Sequence, residues 1–208
     1  MEVKNLMAKL FETYNKFNEA KSSTKVRVFC RMCYANIWEA KSILGSDPKF
    51  SVSCLFDKED TNTIEMVKKA IEAAKAEGKS KYGDKFLTGS GFKNPLHDGD
   101  TDRADDAPYE GMMYVNAVSK DAPEIVDRKK APITDPLKIG SGDYAMITIN
   151  FYPFNAQGTS KGIAAGLSNI QLAAHGDRLS GKATADKDFV ELPGDDEDVL
   201  SGELPDFI

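Results

Sequence analysis

The sequence predicts a mainly β fold, a small closed antiparallel barrel with long loop insertions. Three observations support this prediction. Several stretches alternate apolar and polar residues at period 2, which is typical of half-buried strands. One stretch in the body has the apolar spacing of a helix, and the segments between the periodic stretches are rich in Gly, Pro and Asp.

The first 17 residues have the apolar spacing of an amphipathic helix. The apolar stripe consists of Val3, Leu6, Met7, Leu10, Phe11, Tyr14 and Phe17. Because this stripe would expose a large apolar area to water, we expect the helix to pack on the barrel or to form a contact in a homo-oligomer. Polar residues 18–24 separate it from the body.

The first two predicted strands form the start of a β-meander. In Lys25–Lys41, alternation places Val26, Val28, Cys30 and Met32 on the core face, and Lys25, Arg27, Phe29 and Arg31 on the other. A turn at residues 46–48 leads to the partner strand, Phe50–Lys58. There Phe50, Val52, Cys54 and Phe56 are expected to point inward.

A helix is predicted from about Thr63 to Glu77, between the second and third strands. Asn62 is the expected N-cap, with Glu65 three residues later as in a capping box, and Gly78 is the expected end. Residues 79–111 have no period and are interpreted as a long insertion. The third strand follows at Met112–Lys120, with Tyr114 and Asn116 on one face.

The last two strands form a hairpin after a Pro-containing loop, residues 121–140. One face of the first strand carries Ala145, Ile147, Ile149, Phe151 and Pro153, and the other carries Tyr144, Met146, Thr148, Asn150, Tyr152 and Phe154. A polar break at residues 157–162 turns the chain into the final strand. Five strands and one intervening helix fit a five-stranded OB-like antiparallel barrel.

Periodicity and charge together divide the chain into three expected regions: an N-terminal helical segment and linker (1–24), the barrel domain (25–185) and an acidic disordered tail (186–208). The tail has nine acidic residues and one lysine, whereas the rest has a net charge of +2. The overall charge of −6 therefore does not exclude nucleic-acid binding by the barrel. The odd number of cysteines, three, favours a reducing cytoplasm.

Residues that could carry chemistry are sparse. Asp98, Asp100 and Asp102 resemble the start of a calcium loop, but Arg103 stands where the glycine is needed and Tyr109 where the glutamate is needed. Cys30 and Cys33 would point to opposite faces of a strand, so they do not predict a zinc or redox site. No nucleophile or phosphate-loop motif occurs in the sequence. We therefore expect no catalysis, no metal and no cofactor.

The outward faces of three strands combine cations with aromatic rings. This set comprises Lys25, Arg27, Phe29, Arg31, Tyr114, Tyr144, Asn150, Tyr152 and Phe154, with Tyr34 and Trp38 at the end of the first strand. These are the residue types of a groove for single-stranded nucleic acid, where cations contact phosphates and rings stack on bases. Burial of each ring beneath another element is the alternative.

The tail adds an independent signal. Its acidic run contains Asp195, Asp196, Glu197 and Asp198, and the chain ends with Asp206, Phe207 and Ile208. An apolar tip on a charged arm is typical of the tails with which single-stranded DNA-binding proteins dock on replication partners.

An ordered set of motifs resembles a bacteriophage family of single-stranded DNA-binding proteins over roughly Lys25 to Phe189. The motifs are VRVFCRMCYANIWEAK, FSVSCLFDKEDTNTIEMVKKAIEAAKAEGK, NPLHDGD, EIVDRKKAPITDP, SGDYAMITINFYPFN and KGIAAGLSNIQLAAHGDRLSG. The resemblance implies a modified OB barrel that binds single-stranded DNA without catalysis. It places Arg27, Tyr34, Trp38, Lys41, Tyr144 and Tyr152 near the groove. The N-terminal helical segment departs from the family pattern.

The sequence is thus interpreted as a single-stranded DNA-binding protein of phage replication or recombination. It is expected to coat DNA through a basic and aromatic groove, to recruit replication or recombination proteins through its tail, and to act in the cytoplasm of the infected bacterial host. Two alternatives remain: a metal-dependent nuclease using Asp98, Asp100 and Asp102, and a phage structural or interaction protein.

Overall fold

The computed structural model describes residues 2–42, 45–88, 91–156 and 160–179, with side chains from residue 7 onward. The helices are α1 (Glu2–Tyr14), α2 (Thr61–Tyr82) and α3 (Gly99–Asp102). The strands are β1 (Glu19–Ala20), β2 (Lys25–Lys41), β3 (Lys49–Asp57), β4 (Phe92–Lys93), β5 (Leu96–Asp98), β6 (Met112–Ser119), β7 (Ile125–Val126), β8 (Tyr144–Ala156) and β9 (Ser160–Ala174).

Five of these strands close a barrel in the order β2–β3–β6–β9–β8, with β8 returning to pair with β2. The β6–β9 pairing is parallel and the other four are antiparallel. This is the predicted five-stranded OB-like barrel, with α2 between its second and third strands. The long insertions contribute the short strands β4 and β7, both parallel to β9, and β5, which is antiparallel to β6.

The barrel interior is filled by the inward side chains that alternation predicts. Val26, Val28, Cys30 and Met32 of β2 are fully buried, and they share one cluster with Val52, Cys54 and Phe56 of β3 and with Val67, Ile71 and Ala74 of α2. Full burial of an aliphatic or aromatic side chain stabilises a fold by roughly 1.5–3 kcal/mol. The core therefore fixes which side of each strand faces outward.

Both ends of α2 differ from the sequence prediction. The N-cap is Asp60, not Asn62, since its side chain accepts a hydrogen bond from the Thr63 amide at 3.1 Å. Gly78 is buried within the helix. A glycine is needed at this position because any side chain would collide with Phe86 and Pro153. The helix ends instead at Gly83, whose φ of +84° suits glycine.

The N-terminal helix α1 packs on the outside of its own barrel. Met7, Leu10, Phe11 and Tyr14 contact an apolar cluster on the outer sides of β2 and β8, and the Tyr14 hydroxyl donates to the Ala173 carbonyl at 3.3 Å. The side chains of Val3 and Leu6 lie outside the described residues. Among the described helices, none has the length and apolar character needed to cross a membrane.

Candidate nucleic-acid interface

Outward side chains from four neighbouring strands share one continuous surface, here called the outer face. The strand register places Tyr144 of β8 beside Arg31 of β2, Arg31 beside Leu55 of β3, and Leu55 beside Tyr114 of β6. The structure thus brings together candidates from three strands. Two parts of this face differ sharply in what covers them.

The first part, the covered patch, lies where α1 packs on the barrel, and it comprises Phe29, Tyr144 and Met146 of the barrel with Phe11 and Tyr14 of α1. Phe29 stacks with Tyr14 at 5.0 Å between ring centroids and with Tyr144 at 5.9 Å, and Phe11 meets Phe29 edge-on at 5.2 Å. Phe29 is 0% exposed and Tyr144 5%. Burial raises the pKa of Tyr144. The expectation that these two rings are open at the surface is wrong, because alternation fixes the face of a strand but not what packs over it.

The second part, the open patch, comprises Tyr34, His97, Arg103, Tyr109 and Tyr114. Tyr109 meets Tyr114 edge-on at 4.9 Å, and His97 stacks on Tyr114 at 5.0 Å. Tyr114 is therefore buried, contrary to the expectation that it faces solvent. Tyr34, 57% exposed, lies at the rim with its ring 6.3 Å from that of Tyr109.

An irregularity in β2 turns Tyr34 outward. Its φ is +47°, and the register with β3 shifts between Cys33 and Asn36, as in a β-bulge. The Tyr34 hydroxyl donates to Asp106 at 2.7 Å, and this bond raises the pKa of the phenol. The guanidinium of Arg103 lies 5.6 Å from the ring centroids of both Tyr34 and Tyr109, within cation–π range. A hydrogen bond with Tyr114 raises the pKa of Arg103.

Carboxylates fasten the loop that presents Arg103. Lys58 pairs with Asp98 and with Asp100, the latter at 2.5 Å, and Asp100 also accepts the Gly111 amide at 2.7 Å. Asp102 contacts His97 Nδ1 at 3.0 Å. The three aspartates of the alternative nuclease site therefore hold the loop together. Among the described residues, no group of three or more side chains is placed to hold a metal ion.

The remaining candidates on β2 and β8 differ in solvent exposure and in whether the side chain already has a bonding partner. Arg27 donates to the Phe17 carbonyl at 3.0 and 3.2 Å and pairs with Glu19 at 3.0 Å. Lys25 lies beside Asn150 in the register. Both are half-buried, as is Phe154, whereas Tyr152 and Lys41 are exposed.

The expectation that Trp38 is available for stacking on a base is partly wrong. Its indole Nε1 donates to the Ile139 carbonyl at 3.1 Å, and its ring packs against the barrel core. It is therefore not a free stacking platform. The tail residues Asp195, Asp196, Glu197, Asp198, Asp206, Phe207 and Ile208 lie outside the described residues.

The side chains of Cys30 and Cys33 point to opposite faces of their strand, as alternation predicts. Cys30 lies in the barrel core and Cys33 in the outer apolar cluster, on opposite sides of β2. Burial raises the pKa of Cys33 to about 12, so the thiol stays protonated and packs as an apolar side chain.

Sequence reasoning missed His97, Arg103 and Tyr109 of the open patch. All three come from the segment between residues 79 and 111, which has no apolar period, so no pattern indicated their positions. The only available signal was the placement of an arginine and a tyrosine, six residues apart, within an otherwise acidic loop.

Comparisons with known proteins agree with this architecture. The chain is similar to the single-stranded DNA-binding protein of bacteriophage Enc34 in complex with ssDNA, with a TM-score of 0.66 and 19% identity over 78% of this chain and 97% of that one. It is also similar to gp2.5, a single-stranded DNA-binding protein of bacteriophage T7, with a TM-score of 0.53 and 12% identity over 87% of this chain and 94% of that one.

Sequence comparison adds the family. Putative protein p50 of Acyrthosiphon pisum secondary endosymbiont phage 1 is 29% identical over 180 residues, 82% of this chain and 94% of that protein. The profile described as "Enterobacter phage Enc34, ssDNA-binding protein" matches residues 23–200. The chain therefore belongs to the Enc34 single-stranded DNA-binding protein family.

Proposed function

We propose that this chain binds single-stranded DNA on the open patch of its outer face. The observation that carries the proposal is an exposed tyrosine, Tyr34, with Arg103 beside its ring, on the β2–β3–β6 side of an OB-like barrel. The second and third strands of OB folds form the face that binds oligonucleotides. Membership of a family named for ssDNA binding supports the same assignment.

The chemistry of the patch suits a single strand. The ring of Tyr34 offers a π-face to a base, and such stacking contributes roughly 1–3 kcal/mol per base with little dependence on sequence. Arg103 supplies a cation that can contact the phosphate backbone of the DNA. Arg31, half-buried with its guanidinium 5.8 Å from the Tyr144 ring centroid, adds a second cation at the border between the two patches. Binding is therefore expected to depend on salt and to tolerate any base sequence.

The chain acts as a binding protein and not as an enzyme. Its best nuclease candidates, Asp98 and Asp100, are paired with Lys58, whose hydrogen bonds lower the pKa of both carboxyls. Carboxylates that are engaged in this way hold a loop and are poorly placed to bind a metal as well.

The acidic tail serves as the partner-binding arm. Its net charge of −8 attracts it to the cations of the outer face, while Phe207 and Ile208 offer an apolar tip for a replication or recombination protein. In this proposal the protein coats ssDNA in the cytoplasm of the infected bacterial host and brings its partner to the strand.

Titration of a fluorescent oligothymidylate with the full chain, with and without Mg²⁺, tests the function. The expected result is saturable binding to ssDNA, much weaker binding to a duplex of equal length, and intact DNA after incubation with Mg²⁺. Cleavage would favour the nuclease alternative. Absence of both binding and cleavage would favour a structural or interaction protein.

A further inference from the structure

A cleft of about 250 Å³ opens beside the C-terminal end of α1, where the outer face reaches β9. Its floor is apolar and its walls carry aromatic and cationic side chains. The lining consists of Tyr14, Phe17, Arg27, Arg128, Met146, Gln171, Leu172 and Ala173. The lining includes two arginines and no carboxylate, so it suits an anionic ligand with a flat apolar part.

One wall of the cleft is a ring held in an exposed position. Phe17 ends the 3-10 turn that follows α1 and is 49% exposed. Its carbonyl accepts two hydrogen bonds from Arg27 of β2, which fixes the turn to the barrel. Lys16 Nζ lies 5.4 Å from the centroid of the ring. The hydrogen bonds hold the Phe17 backbone, and the exposed ring with a cation beside it offers a face on which a base can stack.

Another part of the lining is Arg128, which belongs to a basic turn, residues 128–130, that is anchored to the barrel. The carboxylate of Asp127 accepts the amides of Lys129 at 2.7 Å and Ala131 at 2.8 Å. The side-chain amide of Gln171 on β9 donates to the carbonyls of Asp127 and Arg128. Arg128, Lys129 and Lys130 are all exposed. These contacts hold three consecutive cations next to the cleft.

Two carboxylates near the cleft, Glu19 and Asp127, partly offset this positive charge. Glu19 pairs with Arg27 at 3.0 Å and with Lys21 at 2.7 Å. With Lys16 and the basic turn included, cations still outnumber carboxylates around the cleft. The charge therefore complements a phosphate backbone, while the ring and the apolar floor complement a base.

We infer that this cleft is an additional nucleotide subsite, in which a base stacks on Phe17 and its phosphate contacts Arg128. The inference rests on the proposed ssDNA binding and extends it. Phe17 precedes residue 23, where the family match begins, so the stacking wall of the subsite lies outside the family match while Arg128 lies within it. Arg27 beside the cleft and Tyr34 of the open patch are seven residues apart on β2, about 23 Å, so one strand of sufficient length reaches both.

A series of oligothymidylates from about 4 to 16 nucleotides, the range of site sizes for one OB fold, tests the subsite. For the longest oligonucleotides, Phe17→Ala should weaken binding by about 5- to 150-fold, the loss of one stacked base. For the shortest oligonucleotides, which the open patch can bind alone, the loss of affinity should be much smaller. Phe17→Tyr should restore binding, and Arg128→Ala should reduce the salt slope by about 0.7.

Leu137→Ala is the matched control, since Leu137 is an exposed apolar side chain, 84% exposed, on a different loop. It should bind every length as the wild type does. If Phe17→Ala also matches the wild type at every length, the subsite is wrong while the proposed function stands. A wild-type chain that binds no ssDNA would overturn both. If Phe17→Ala changes only the mass in light scattering, the cleft is a contact between copies of the chain.

Discussion

The covered patch and the open patch are both rich in aromatic rings, but only the open patch presents a ring, that of Tyr34, and a guanidinium, that of Arg103, to solvent. In the covered patch, Phe29 and Tyr144 stack beneath α1 and have almost no exposed surface. In the open patch, a bulge in β2 turns Tyr34 outward while the loop from residue 98 to 111 packs beside it. Aromatic rings on the outside of a barrel can therefore serve either packing or binding, and the neighbouring element decides which.

The comparison also indicates how a segment outside the family match affects the barrel. The family match begins at residue 23, so α1 lies outside it. The helix places its apolar stripe on rings that would otherwise face solvent, which stabilises both. The open patch lies beyond the helix and keeps its exposed ring. Four predictions test whether packing and binding are separated in this way.

The largest expected effect is on stability. Phe29→Ala removes a fully buried ring that contacts Phe11, Tyr14 and Tyr144, and it should lower the free energy of unfolding by about 3–5 kcal/mol. Denaturant unfolding measures this loss. Tyr152→Ala, on the same face but 41% exposed, is the matched control and should stay within about 0.5 kcal/mol. Equal losses for the two variants would mean that α1 does not cover Phe29.

The second prediction concerns affinity. Tyr34→Asn removes the exposed ring and tolerates the positive φ at this position, so folding should be unchanged. Affinity for oligothymidylate should fall by about 5- to 150-fold, the equivalent of one lost stack. Tyr34→Phe keeps the ring but loses the hydrogen bond to Asp106, and it should bind nearly as the wild type does. Wild-type affinity in Tyr34→Asn would remove Tyr34 from the interface.

The third prediction is a change in salt dependence. Arg103→Ala removes one cation from the open patch, so the slope of log affinity against log salt should become shallower by about 0.7. Arg103→Lys keeps the charge and should retain most of the slope. A slope that is unchanged in Arg103→Ala would show that this guanidinium contacts no phosphate.

The smallest effect concerns acid pH and the loop that carries Arg103. Hydrogen bonds from Lys58 lower the pKa of Asp98 and Asp100 below the ordinary value of 3.8. Their contribution to stability is therefore present above that value and is lost as the pH falls through the lowered pKa. The amide resonance of Gly111, which donates to Asp100, should titrate with a midpoint below 3.8. Lys58→Met should raise this midpoint, and no rise would contradict the assigned cause.

Sequence alone predicted the barrel, because period-2 alternation records which side of each strand faces the core. Val28 and Phe29 show both the strength and the limit of this signal: their opposite orientation was predicted, but the burial of Phe29 was not. That burial depends on where α1 packs on the barrel, and alternation within a strand carries no information about which element covers its outer face. The open patch was only partly predicted, since Arg103 and Tyr109 lie in a loop whose shape depends on ion pairs and hydrogen bonds.

The central claim is that ssDNA contacts the open patch and not the rings beneath α1. Photochemical crosslinking of oligonucleotides that carry 5-iodouracil, followed by mass-spectrometric mapping of the crosslinked peptides, tests it most directly. The account predicts crosslinks at Tyr34 and none at Phe29 or Tyr144. Crosslinks at Phe29 or Tyr144, with Tyr34 unmodified, would contradict it, because DNA would then have displaced α1 and bound the covered patch.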